Sequence, residues 1–138
     1  MEIFPIDPDH RLFISPAIDD WEPLFKLGIT AIIDLDADMD EGVPTLPDHL
    51  MYLYFPIADA QLPNLDKLHA AAVMGARLVR SGHKVLSHCG MGLNRSALLA
   101  GLILIELGMT GKNSVELLQS RRPGALYNDV FADYLRSL

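Results

Sequence analysis

The sequence predicts an α/β domain with a central, mainly parallel sheet of four or five strands flanked by helices. Short β-prone runs alternate with longer helical patterns, and that alternation is typical of a parallel sheet with helices on both faces. The composition, 50% hydrophobic and 21% charged, is that of a folded globular protein. Because the chain has 138 residues and no internal repeat, we expect one domain over residues 1–138.

The predicted elements follow from hydrophobic periodicity and from proline, glycine and charged residues at the boundaries. The predicted strands cover residues 11–15, 31–35, 51–55 and 84–88. The predicted helices cover residues 20–27, 65–80, 95–107, about 112–121 and about 128–138. The third helix is apolar nearly all round, which predicts that it is the most buried one. Asn64 is the predicted N-cap of the second helix, and Asn113 with Glu116 predicts a capping box at the fourth.

The charge balance restricts the possible partners. Eighteen acidic residues against eleven lysines and arginines give a formal net charge of −7, so the chain as a whole does not attract nucleic acid or anionic membranes. No apolar run approaches the roughly 18 residues of a membrane span, and the first residues lack the features of a signal peptide. We therefore expect a cytoplasmic monomer with no membrane partner and no preference for nucleic acid.

One loop has the composition of an anion-binding site. Residues 88–96, His-Cys-Gly-Met-Gly-Leu-Asn-Arg-Ser, follow an apolar strand and open the apolar helix. A helix N-terminus presents unpaired N–H groups and the positive end of the helix dipole. The two glycines allow the loop amides to turn inward around an anion. The predicted phosphate-binding residues are Gly90, Met91, Gly92, Leu93, Asn94 and Arg95.

Cys89 and Arg95 are the predicted reactive groups of this loop. Cys89 is the only cysteine, and a lone intracellular cysteine more often packs as a small hydrophobe than acts as a nucleophile. Here the helix N-terminus and a nearby cation favour the thiolate, which is the nucleophilic form. Arg95 can bind two phosphate oxygens with its planar guanidinium. We expect Cys89 to attack phosphorus and form a phosphocysteine, and Ser96 to hydrogen-bond the departing sulfur.

The motif His-Cys-x-x-Gly-x-x-Arg-Ser resembles the signature loop of the protein tyrosine phosphatase superfamily, specifically its small dual-specificity-like branch. Weaker similarities at residues 11–15, 27–35 and 120–131 extend the resemblance over most of the chain. It implies a cysteine-phosphatase fold that hydrolyses phosphotyrosine, and also phosphoserine or phosphothreonine, on a phosphorylated protein or small molecule. No metal or organic cofactor is expected, because the thiolate, the loop and Arg95 supply the nucleophile and the charge stabilisation.

The resemblance also implies an aspartate, on a loop upstream of the nucleophile, that protonates the leaving oxygen. Residues 55–59, Phe-Pro-Ile-Ala-Asp, match that position, so Asp59 is the predicted acid and Asp66 is the alternative. Asp59 follows a strand and precedes a long helix, which allows it to project over the pocket. For His88 we predict a supporting role in orienting the loop, because a thiolate needs no general base.

Two further groups of charged residues allow more than one interpretation. Acidic residues cluster between residues 34 and 41, but Glu41 and Pro47 stand where a calcium loop beginning at Asp36 would need glycine and glutamate. We therefore interpret this segment as a solvated loop. Arg121 and Arg122 could bind a second phosphate, but a helix C-terminus also favours cations through its dipole, and we prefer that explanation.

Two other functions and a second phosphatase family are alternatives to this prediction. Asn94 before Arg95 resembles the loop of the RNA 5′-triphosphatases in this superfamily, although the acidic balance argues against RNA. A protein that binds phosphate without turnover commonly lacks the cysteine, the arginine or the acid, whereas all three have candidates here. The low-molecular-weight tyrosine phosphatases are disfavoured because their cysteine loop lies at the N-terminus.

Overall fold

A computed structural model describes all 138 residues. The strands are β1 (Phe4–Pro5), β2 (Leu12–Ser15), β3 (Ile29–Asp34), β4 (Met51–Tyr54) and β5 (Lys84–His88). The helices are α1 (Glu22–Leu27), α2 (Leu65–Arg80), α3 (Arg95–Glu106), α4 (Gly111–Arg121) and α5 (Asp129–Arg136). All predicted strands and helices are present, and β1 is an additional short strand that the sequence patterns did not indicate.

The five strands form one sheet in the order β1-β2-β5-β3-β4. β1 pairs with β2 in the antiparallel sense, whereas β2, β5, β3 and β4 are parallel to one another. This arrangement confirms the predicted α/β class with a mainly parallel sheet. Because four strands point the same way, their carboxyl ends and the loops that follow them lie along one edge of the sheet. Binding sites of open α/β sheets form at this edge.

Helices cover both faces of the sheet, as predicted, but unequally. The larger core packs one face of the sheet against α2, α3, α4 and α5, and it includes Ile33, Leu68, Leu98 and Phe131. The smaller core lies under α1, where Leu24 is buried among side chains of the other face. Every residue from Ser96 to Leu104 is buried, which confirms α3 as the most buried helix. No helix combines the length and apolar composition that crossing a membrane requires.

The two predicted N-caps have different outcomes. Asn64 caps α2, since its side chain accepts the Lys67 N–H at 3.0 Å. The capping box at Asn113 is wrong, because the Thr110 hydroxyl accepts the Asn113 N–H at 3.1 Å and α4 begins at Gly111. Gly111 is pressed against the backbone of α5, where a side chain would not fit. The start of α4, which lies earlier than the predicted capping box, is therefore in contact with α5.

Candidate active site

The loop between β5 and α3 places Cys89 at the centre of the sheet edge. Cys89 is 2% exposed. Gly92 has a φ of +69°, and a Cβ there would lie 2.7 Å from the backbone nitrogen of Pro16, so only glycine fits both the conformation and the space. The Ser87 hydroxyl donates to the Ser96 carbonyl at 2.9 Å and ties the strand to the start of the helix. The loop is therefore packed against the residue that follows β2, and the strand before it is hydrogen-bonded to the helix after it.

Most backbone amides of this loop donate to no protein atom. Asn94 occupies the N-cap position of α3, but its side chain does not cap the helix. The Gly92 N–H points at Cys89 Sγ over 3.3 Å, and Ser96 Oγ lies 3.4 Å from the same sulfur. The loop amides that donate to no protein atom are those of Gly90, Met91, Leu93, Asn94 and Arg95. They are available to an anion bound above the sulfur.

Arg95 has one edge of its guanidinium anchored and the other free. Its Nη1 lies 3.5 Å from Asp36 Oδ1 and 3.5 Å from the Ile57 carbonyl oxygen. Its Nε is buried and has no hydrogen-bond partner. The unpartnered Nε edge, together with Nη2, matches the two-pronged geometry with which arginine binds phosphate. Asp36 therefore lies at the pocket, and a Cβ on Gly90 would approach its carboxylate to 3.4 Å.

His88 belongs to a buried hydrogen-bond network behind the loop. Its Nε2 lies 2.6 Å from Asp40 Oδ2 and 3.5 Å from Asp34 Oδ1. The Tyr52 hydroxyl hydrogen-bonds the Asp34 carboxyl group and lies 3.0 Å from Asp40 Oδ2. The Asp34, Asp40 and His88 ligand atoms lie within 4.8 Å of one another, a spacing that could hold a metal ion. In this structure those atoms hydrogen-bond each other and Tyr52, which anchors His88 and the residue after it.

The interpretation of residues 34–41 as a solvated loop is wrong for most of its acidic side chains. Asp34 and Asp40 turn inward to His88, and Asp36 faces Arg95. Only Asp38 and Glu41 are exposed. The reason is tertiary: the hydrogen-bonding partners His88 and Arg95 come from β5 and α3, far away along the chain, and each faces a carboxylate of this segment.

Burial raises the pKa of the Asp34 carboxyl group above its ordinary value, and the negative charge of Asp40 acts in the same direction. A raised folded-state pKa means that stability falls as pH rises from about 4 through that pKa, because the unfolded chain ionises first. Asp34→Asn cannot ionise, so its stability relative to the wild type should rise over this range. Urea unfolding at several pH values measures this difference. Asp38→Asn, which removes an exposed carboxylate of the same segment, is the matched control. If the stability difference from the wild type had the same pH slope for both variants, the assignment would be contradicted.

Asp59 lies beside the phosphate loop, on the segment between β4 and α2. Its Oδ2 is 3.4 Å from Asn94 Nδ2, and its carbonyl oxygen accepts Asn128 Nδ2 at 3.2 Å. Asp66, the alternative acid, lies in the first turn of α2 and makes no hydrogen bond to the loop. Geometry thus favours Asp59. Asn128 lies in the segment 120–131 that resembles the family, but no sequence pattern indicates its contact with Asp59 or the contact between Asp36 and Arg95.

The two arginines at the end of α4 have different surroundings. Arg121 is exposed in the last turn, as expected for a cation that interacts with the helix dipole. The Arg122 guanidinium lies 4.6 Å above the centre of the Phe4 ring and contacts the short strand β1. Neither residue forms an ion pair with a carboxylate.

A parallel sheet whose central strand carries a buried cysteine into an amide-lined loop, with an arginine at the start of the next helix, defines a cysteine-type phosphatase. A protein-family model described as "Polymorphic toxin system, DSP-PTPase phosphatase" matches residues 10–109. The chain belongs to this family. The resemblance to small dual-specificity phosphatases inferred from the loop is thereby confirmed. No curated protein matches the chain.

Solved structures of dual-specificity phosphatases and of a tyrosine phosphatase-like protein have the same fold. Human DUSP28 superposes with a TM-score of 0.82 at 23% identity, covering 98% of this chain and 90% of that one. A mouse putative dual specificity phosphatase, complexed with zinc tungstate, gives 0.81 at 25% identity, covering 98% and 84%. The human tyrosine phosphatase-like serine/threonine/tyrosine-interacting protein gives 0.77 at 26% identity, covering 98% and 93%.

Proposed function

We propose that residues 1–138 form one catalytic domain that hydrolyses phosphate monoesters, on phosphotyrosine and also on phosphoserine or phosphothreonine, through a phosphocysteine intermediate. The observation that carries this proposal is the arrangement around Cys89. Its sulfur accepts the Gly92 N–H, five further loop amides donate to no protein atom, and the Nε edge of Arg95 is free. Such a site binds a tetrahedral oxyanion and aligns it with the nucleophile below.

In the first step, the Cys89 thiolate attacks phosphorus, the S–P bond forms and the bond from phosphorus to the leaving oxygen breaks. The loop amides and Arg95 stabilise the negative charge on the three equatorial oxygens. Asp59, whose carboxyl group lies beside Asn94 of the loop, gives its proton to the leaving oxygen. The products of this step are an alcohol or phenol and the phosphocysteine.

In the second step, water attacks phosphorus and the S–P bond breaks. Asp59, now a carboxylate, takes a proton from the water. The Ser96 hydroxyl, 3.4 Å from Cys89 Sγ, donates a hydrogen bond to the departing thiolate. Inorganic phosphate leaves, and Asp59 and Cys89 are back in their starting protonation states.

The charges around the pocket favour a substrate whose phosphate has neutral or basic neighbours. The loops that follow β2, β3 and β4 at the same sheet edge contain no lysine or arginine. A substrate with several negative charges would be repelled by this rim. The acidic residues of these loops on this side are Asp19, Asp20, Asp36, Asp38, Asp40, Glu41 and Asp59, whereas Asp48 lies just before β4, with Thr30 and His83 at the opposite edge.

A phosphotyrosine peptide with two flanking lysines should therefore have a kcat/KM about ten-fold higher than the same peptide with two flanking glutamates. The difference should shrink as salt is added, because exposed charges are screened. Phosphate release from the two peptides at low and high ionic strength measures the effect. A preference for the glutamate peptide, or one that salt does not change, would contradict this substrate class.

An RNA 5′-triphosphatase is the alternative that Asn94 suggested in the sequence. Its substrate carries a chain of negative charges, and the loops after β2, β3 and β4 offer no cation to bind them. The Asn94 side chain also has partners within the protein, Asp59 and Asn128, which account for an asparagine at this position. Release of phosphate from a triphosphate-ended RNA faster than from any monoester would favour the alternative.

A further inference from the structure

The Asn94 side chain joins the phosphate loop to the predicted acid. It is buried, with 2% of its surface exposed. Its Oδ1 accepts the Asn128 N–H at 2.9 Å, and its Nδ2 lies 3.4 Å from Asp59 Oδ2. A backbone N–H can only donate, so it fixes which end of the Asn94 amide faces it. The NH₂ group of Asn94 must therefore face the Asp59 carboxyl group.

The Asn128 side chain holds the backbone of the same acid. Its Oδ1 accepts the N–H groups of Val130 and Phe131 at 3.0 and 3.4 Å, which caps α5. This leaves its NH₂ group to donate to the Asp59 carbonyl oxygen at 3.2 Å. Asp59 is otherwise an exposed loop residue. The Asn94 amide thus fixes the side chain of Asp59, and the Asn128 amide fixes its main chain. Asn94 and Asn128 are also hydrogen-bonded to each other.

We propose that Asn94 and Asn128 are positioning residues that aim the Asp59 carboxyl group at the leaving oxygen; this inference rests on the proposed function. An NH₂ donor at Oδ2 favours a lone pair there, so the transferable proton resides on Oδ1. Oδ1 gives this proton to the leaving oxygen as its bond to phosphorus breaks. The resulting carboxylate keeps the Asn94 hydrogen bond, which stabilises its charge. In the second step Oδ1 takes a proton from the attacking water.

The test uses the dependence of rate on the leaving group, because general-acid help matters most for a strongly basic one. Wild type, Asn94→Ser and Asn128→Ser are compared with p-nitrophenyl phosphate, whose leaving group is a weak base, and phenyl phosphate, whose leaving group is a stronger base. Asn94→Ser should lower kcat/KM for phenyl phosphate about ten-fold and for p-nitrophenyl phosphate less than about three-fold. Tungstate affinity should stay unchanged, because the loop amides are retained.

Asn128→Ser separates the loss of the contact with Asp59 from the loss of the cap of α5. Serine is a good N-cap, so α5 should still be capped, but its hydroxyl does not reach the Asp59 carbonyl oxygen. We expect kcat/KM to fall about three-fold for phenyl phosphate and by less for p-nitrophenyl phosphate. If Asn94→Ser fails to fold, this variant alone decides: equal losses for both substrates, or weaker tungstate binding, would overturn the inference.

Asp59→Asn provides the reference and completes a double-mutant cycle. In this variant kcat/KM should fall more for phenyl phosphate than for p-nitrophenyl phosphate. In the double variant with Asn94→Ser, kcat/KM for phenyl phosphate should show no further selective loss. If Asp59→Asn is selective and Asn94→Ser is not, the proposed function stands and the positioning role fails. If the wild-type protein has no turnover of either substrate, the proposed function fails, and this inference fails with it.

Discussion

Replacing Cys89 with serine should lower kcat for p-nitrophenyl phosphate by at least about a thousand-fold. A serine hydroxyl remains protonated at neutral pH and is a far weaker nucleophile than a thiolate. The loop amides and Arg95 are unchanged in this variant, so tungstate affinity should change by less than about three-fold.

This prediction can be measured without ambiguity because Cys89 is the only cysteine of the chain. Alkylation should therefore label one thiol in the wild-type protein, in parallel with loss of activity, and none in Cys89→Ser. Calorimetric titration with tungstate and the thermal unfolding midpoint report whether the loop of the variant is intact. A Cys89→Ser protein that retains a tenth of wild-type activity would exclude the cysteine as the nucleophile.

Arg95→Ala should lower kcat/KM about a thousand-fold, because it removes two charge-assisted hydrogen bonds that strengthen as charge develops on the phosphoryl oxygens. Arg95→Lys keeps the charge but not the planar pair of donors, so a loss of about a hundred-fold should remain. Kinetics with p-nitrophenyl phosphate and tungstate titration measure both. Full activity of Arg95→Lys would contradict two-pronged binding through Nε and Nη2.

Arg121→Ala serves as the matched control for this series. Arg121 is exposed in the last turn of α4, and its removal should change kcat/KM by less than about two-fold. A loss comparable with that of Arg95→Ala would instead revive the interpretation of Arg121 as a binder of a second phosphate.

Much of the fold was predictable because its signals are local. The apolar run of β5, the two glycines after it and the apolar helix α3 are contiguous in sequence, and Lys84–His88 was predicted at its observed bounds. β1 was missed because it contains only two residues, one of them proline. Neither periodicity nor strand propensity can indicate so short an element; its pairing with β2 depends on the tertiary structure.

The parts of the site that could not be predicted depend on contacts between distant segments. Nothing in the local pattern around Asp36 or Asp40 indicates that Arg95 and His88 will face them, and an acidic run is ordinarily solvated. The position of Asp59 followed from its place after β4 and from the family resemblance. The contact between Asn128 and Asp59 could not be predicted, because it spans 69 residues of sequence.

The central claim, a phosphocysteine at Cys89, is tested most directly by trapping the intermediate. The wild-type protein and Asp59→Asn would be mixed with p-nitrophenyl phosphate in EDTA, quenched in acid within milliseconds and digested for mass spectrometry. The Asp59→Asn variant lacks the acid of the first step and the base of the second. The proposed mechanism predicts that the peptide containing Cys89 gains the mass of one phosphoryl group, and that Cys89→Ser gains none. Continued turnover with no phosphoryl group on Cys89, or turnover that EDTA abolishes, would contradict it.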